Sequence, residues 1–88
     1  MASINVIIPS ALNKGEGERK ININANTLNE ALNILVEQLG NDFKRKVFDT
    51  NNKPRSLINI YINGKNMRFT GGLETKLNDN DEIVILPA

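Results

Sequence analysis

The sequence predicts an α+β domain in which one main helix packs on a small mixed sheet of four to five strands. Three observations predict it. Runs of alternating apolar residues flank a single stretch of helical periodicity, hairpin signals stand on both sides of that stretch, and 88 residues leave room for one domain, taken here as residues 1–88. A chain this short buries only about 60–65% of its unfolded surface, so its core has to be economical. A hydrophobic fraction of 40% and a charged fraction of 24% are ordinary globular values and argue against disorder or a fibre.

Alternation in the run Ile4 to Ile8 puts Ile4, Val6 and Ile8 on one face, and its β-branched content favours a strand that Pro9 ends. A polar stretch with Gly15 and Gly17 leads to Lys20-Ile21-Asn22-Ile23-Asn24, where Ile21 and Ile23 share a buried face. These two strands form an opening hairpin with a long loop. Thr27-Leu28-Asn29-Glu30 fits a capping box, so a helix starts there. Leu28, Ala31, Leu32, Leu35, Val36 and Leu39 then form one apolar stripe, and Gly40 stands where a left-handed terminating residue is wanted. The expected helix is Leu28 to Leu39.

Residues 41–55 read as connecting structure: Phe43, Val47 and Phe48 pin a short helical turn, Lys44-Arg45-Lys46 point outward, and Asn51-Asn52-Lys53-Pro54 turn the chain. The strongest hairpin signal follows, with Leu57 to Ile62 leading into Asn63-Gly64, a pair suited to a type I′ turn, and Lys65 to Phe69 returning. Ile58, Ile60 and Ile62 face the core. After a loop through Gly71-Gly72 and a single turn around Leu73 to Leu77, Asp79-Asn80-Asp81 turns into a last strand, Glu82 to Leu86, with Ile83 and Ile85 inward. Connection rules allow this strand to return beside the first and parallel to it, which is the β-grasp, or ubiquitin-like, arrangement. A ferredoxin-like split βαβ is the competitor, and a hairpin placed before the helix favours the grasp.

Composition removes most chemistries. Without Cys there is no disulfide framework, thiolate nucleophile or zinc ribbon, and without His there is no Ser-His-Asp triad, His-bound zinc or imidazole switch. No catalytic residue, cofactor site or metal site is assigned. A net charge of +1 gives no reason to expect nucleic acid or an anionic membrane as partner. The N-terminus lacks the basic region and long apolar run of a signal peptide, so the expected location is cytoplasmic.

The remaining clusters read as structure. Gly71-Gly72 has no phosphate-loop context, Asp79, Asp81 and Glu82 suit a turn, and Lys44-Arg45-Lys46 with Lys53 and Arg55 make a solvated face. If Ile83 and Ile85 point inward, Val84 and Leu86 project from the opposite side of the sheet, as do Asn59 and Tyr61 from the strand beside them. Tyr61, Val84 and Leu86 together would form an apolar patch with a polar edge, a candidate for docking a partner.

The C-terminal third carries a resemblance. Ile58-Asn59-Ile60-Tyr61-Ile62-Asn63, then Met67-Arg68-Phe69-Thr70-Gly71-Gly72-Leu73, then Asp79 through Ala88, closely resemble the MoaD/ThiS-type sulfur-carrier family, nearest to its cysteine-biosynthesis (CysO-like) members. The resemblance implies a β-grasp protein whose C-terminal glycine carboxylate is adenylated with ATP by an E1-like enzyme and converted to a thiocarboxylate. The protein is then a substrate, not an enzyme. It implies two partners, the E1-like adenylating enzyme and a sulfur-accepting enzyme of cysteine, molybdopterin or thiamine biosynthesis, with docking through Tyr61, Val84, Leu86, Pro87 and Ala88.

One feature departs from the family. Its members normally continue past the Leu-Pro-Ala equivalent with a tail ending Gly-Gly, and the sequence here stops at Ala88. Glycines suit such a tail because the missing Cβ lets an extended chain thread a narrow channel, whereas Pro87 fixes φ and Ala88 carries a methyl. Gly71-Gly72, being internal, has no free carboxylate. The expectation is a flexible Gly-Gly tail beyond Ala88; the alternative is a tail-less ubiquitin-like interaction module or protein modifier acting through its sheet face.

Overall fold

β-branched alternation forms strands where the sequence places them. A computed structural model describes residues 1–87. Its elements are β1 (Ala2–Ile8), β2 (Arg19–Ala25), α1 (Leu28–Val47), β3 (Ile58–Ile62), β4 (Lys65–Asn66) and β5 (Glu82–Pro87). The strands form one sheet of order β2-β1-β5-β3-β4, in which β1 and β5 run parallel and every other neighbouring pair is antiparallel. That parallel centre, closed by strands from the two ends of the chain, is the β-grasp order and excludes the split βαβ.

The core lies between the sheet and α1. Ile4, Val6, Ile8, Ile21, Ile23, Ile58, Ile60, Ile62, Ile83 and Ile85 are buried beneath Leu28, Ala31, Leu32 and Leu35 of the helix. Every second strand residue thus meets the apolar helical stripe, the two-layer solution that the periodicities require. The helix starts as expected: Thr27 Oγ1 accepts the Glu30 N–H at 3.3 Å. The Glu30 carboxylate reaches back to the Asn26 N–H at 3.2 Å, one residue before the cap rather than on it.

At Gly40 the helix breaks, with φ 82° and ψ −167°. This is the extended positive-φ region that essentially only glycine occupies, and another residue there would be strained by about 1–3 kcal/mol. Space is not the constraint, since a Cβ at this position would meet nothing within 4 Å. Past the break the chain resumes helical conformation and continues to Val47, where a connecting segment with one short turn was expected. Phe43 (1% exposed) and Val47 (0%) anchor this second segment in the core. Three apolar residues are too few to display a period in the sequence, but they suffice to hold two turns of helix once a sheet lies beneath them.

The second hairpin turns at Asn63 (φ 51°) and Gly64 (φ 85°), positive at both positions as a type I′ turn demands. Its return strand is shorter than expected. β4 ends at Asn66, whose side chain accepts the Arg68 N–H at 3.0 Å and curls Met67–Phe69 into a 3₁₀ turn. Gly71 and Gly72, both at positive φ, lead into a second 3₁₀ turn, Gly72–Glu74. Thr75 O then accepts the Leu28 N–H at 3.0 Å, satisfying one free donor at the start of α1.

Candidate functional site

The site is assembled by register. On β3 and β5, pairing places Tyr61 opposite Val84 and Asn59 opposite Leu86, and on the other flank of β5 parallel pairing places Ile7 beside Val84. All five alternate with buried neighbours, so they share the sheet face opposite the helix. Tyr61, Val84 and Ile7 are half-buried because each lies against the next, while Leu86 at the rim is 41% exposed. The expected grouping of Tyr61, Val84 and Leu86 is therefore present as geometry. Ile7 belongs with them and was missed, although the alternation that sends Val6 and Ile8 inward sends it outward.

Pro87 is not on this patch. It pairs with Ile58, an inward position, and stands exposed at the end of β5 where the chain leaves the sheet. Ala88 lies outside the described residues. Three further large apolar side chains are exposed, Met1 at the chain start, Leu57 at 69% and Phe69 at 88%. Leu57 directly precedes β3 at the end of the sheet where Pro87 exits. Phe69 lies within the expected return strand, and its exposure follows from the Asn66 cap that diverts the chain.

Polar groups edge the patch. Arg68 Nη1 donates to Asn59 Oδ1 at 3.4 Å and Nη2 donates to Ser56 O at 3.1 Å, which holds the guanidinium across the start of β3 beside Leu86. On the opposite side Asn22 Nδ2 donates to Asn5 Oδ1 at 3.1 Å and to Ile4 O at 3.1 Å. The result is an apolar strip over the centre of the sheet with Arg68 at one end and, on the other side, Asn5 and Asn22 together with Lys20 opposite Ile7 and Glu82 beside Asn5.

The clusters read as structural do structural tasks. Asp79 Oδ1 accepts the Ser3 N–H at 2.9 Å, Asp81 Oδ2 accepts the Asn78 N–H at 2.8 Å, and Asp81 Oδ1 accepts from Asn63 Nδ2 at 2.8 Å. Glu82 donates its own N–H to Asn63 Oδ1 at 2.9 Å, so the two turns are clamped together. Among the described residues no group of three or more carboxylate, Cys or His side chains is arranged to hold a metal ion. In the basic cluster, Asp42 pairs with Arg45 at 3.0 Å and Lys46 at 3.3 Å, and Arg55 Nε donates to Arg45 O at 2.9 Å. These exposed pairs each contribute about 0–1 kcal/mol. The N–H groups of Lys53 and Asn51 both donate to the Asp49 carboxylate and hold its pKa below the usual range, a feature of the turn. Among the described residues no helix is long and apolar enough to cross a membrane.

Comparison with known proteins agrees with the fold. The model of the ThiS family matches residues 6–88. Sulfur carrier protein CysO of Mycobacterium tuberculosis is 32% identical over 89 residues, covering 98% of this chain and 95% of that protein. Among solved structures, small archaeal modifier protein 1 of Methanosarcina acetivorans superposes with a TM-score of 0.80 at 32% identity, over 99% of this chain and 93% of that one. The BexX/CysO complex of Amycolatopsis orientalis contains a chain that superposes with a TM-score of 0.78 at 28% identity, over 97% and 94%.

Proposed function

The chain belongs to the ThiS family, and from that premise we propose that it is a sulfur-carrier protein, the substrate of an ATP-dependent E1-like adenylating enzyme rather than a catalyst. The reacting group is the carboxylate of a C-terminal Gly-Gly that follows Ala88 in the form that reacts. A carboxylate oxygen attacks the α-phosphorus of ATP, pyrophosphate leaves, and an acyl-adenylate forms. A sulfide nucleophile then attacks the acyl carbon and expels AMP, leaving a thiocarboxylate whose sulfur passes to an accepting enzyme of cysteine, molybdopterin or thiamine biosynthesis. This chemistry, set by its ATP supply, belongs in the cytoplasm.

The observation that carries the reading is the full-length likeness to CysO, a protein named as a sulfur carrier. The structure supports it through what the chain's own residues provide. β5 lies at the centre of the sheet, bonded on both sides by β1 and β3, so its end is a rigid platform from which a tail departs. Tyr61, Val84, Ile7 and Leu86 offer an apolar docking face continuous with that exit, and Pro87 stiffens the first step of the tail. The solved BexX/CysO complex supports the expectation that a carrier of this shape binds a partner protein through part of its surface.

A second reading, a protein modifier or tail-less interaction module, draws on the equally full-length likeness to small archaeal modifier protein 1. Intact mass of the product isolated from its native cells tests the proposal. A glycine-ended form is expected. A mass ending at Ala88 with no glycine-ended form would remove the carrier chemistry and leave the module.

A further inference from the structure

Among the described residues, β2 is an edge strand with no strand on its outer side. Among the described residues, no backbone group of residues 19–25 is bonded outside the pairing with β1, so alternate N–H and C=O groups along seven residues face solvent. Edges of this kind are templates for strand addition, and proteins usually blunt them with Pro, bulges or inward-pointing charges. β2 carries no Pro and no bulge, and its one charge at an inward position, Arg19 opposite Ile8, is exposed at the first residue of the strand. Its other inward residues are Ile21, Ile23 and Ala25, all buried, and Lys20 stands beside Arg19 at the same end.

That layout is self-complementary. In an antiparallel pair, residues directly opposite share a face, so two copies of β2 can meet only in registers that set inward residues against inward ones. Of these, the two-fold centred on Asn22 pairs all seven residues: Arg19 with Ala25, Lys20 with Asn24, Ile21 with Ile23, and Asn22 with its own copy. No charged residue then faces a like charge. The Asn5–Asn22 amide contact at 3.1 Å would continue as an amide row across the junction.

We propose that two copies of this chain associate through their β2 edges, forming one continuous sheet with Asn22 on the two-fold axis. The edge lies at the far side of the sheet from β3 and β4, so both apolar faces and both β5 ends stay open in the pair. A single strand pair of this length is well below the roughly 1,200 Å² that stable interfaces bury, so the association depends on concentration. It rests on the β2 edge alone and stands or falls separately from the sulfur-carrier reading.

Sedimentation velocity over a concentration series, on the full chain and on two variants at Asn24, tests it. Asn24 is exposed and makes no side-chain hydrogen bond among the described residues, so substitution spares the monomer. Asn24→Lys sets two like-charge pairs against Lys20 of the other copy, and Asn24→Glu makes the same two pairs attractive. The dimer is expected to weaken about two- to thirtyfold in the first and tighten by a similar factor in the second. Monomer at every concentration would overturn the proposal, and so would a dimer indifferent to both variants. Amide resonances of β2 that shift only when a partner enzyme is added would assign the edge to that partner's strand and overturn self-pairing.

Discussion

The double variant Tyr61→Asp, Leu86→Asp is expected to lose affinity for the proposed E1-like adenylating partner by about thirtyfold or more, with the fold intact. The two side chains bracket the apolar strip, Tyr61 against Val84 and Leu86 at the rim beside Asn59 and Arg68. Docking removes such a strip from water, and truncation of a central aromatic anchor typically costs about 2 kcal/mol or more. Two carboxylates add the desolvation of charges without partners. The monomer should tolerate both, because Leu86 is 41% exposed and Tyr61 lies on the face away from the helix. Tyr61→Phe is the control and should bind nearly as the parent does. The measurement is affinity by calorimetry or biosensor beside the thermal midpoint of each variant. Unchanged affinity in the double variant would remove the patch from the docking surface.

Phe43→Ala is expected to destabilise the domain by about 3–5 kcal/mol, as large-to-small changes of buried aromatics do. Phe43 is 1% exposed and anchors the second segment of α1 beyond the Gly40 break. A small domain holds only about 5–15 kcal/mol in total, so this single change would bring it close to unfolding at physiological temperature. Urea denaturation reads the effect as a shift of the midpoint at unchanged slope. A loss below about 1 kcal/mol, the range of surface substitutions, would mean that this segment is not part of the core.

Both experiments bear on what could be read in the sequence. Strand alternation placed Ile58, Ile60, Ile62, Ile83 and Ile85 inward, and the apolar stripe with its Thr27 cap located the first helical segment to the residue. These were legible because period and capping are local properties. Gly40 was legible as a helix end, but not as a break with more helix after it, since the segment from Asn41 to Val47 owes its shape to the sheet beneath Phe43 and Val47. The return strand failed for a different reason. Asn66 offers its side chain to the Arg68 N–H, a local competitor of the ladder, and Phe69 goes outward instead of pairing.

The docking patch was half legible. Tyr61, Val84 and Leu86 follow from alternation in two neighbouring strands, but Ile7 joins them only because β1 runs parallel to β5 in a register that sequence does not display. Pro87 is among the docking residues that the resemblance implies, and alternation sets it apart from the patch that Leu86 joins.

The central claim, that this chain carries sulfur, is tested most directly by mass spectrometry of the glycine-ended protein incubated with its E1-like enzyme, ATP and a sulfide source. The account predicts an ATP-dependent mass gain equal to the exchange of one oxygen for one sulfur, confined to the C-terminal peptide and lost on transfer to the accepting enzyme. An unchanged mass under conditions in which the same enzyme activates another carrier of the family would contradict it.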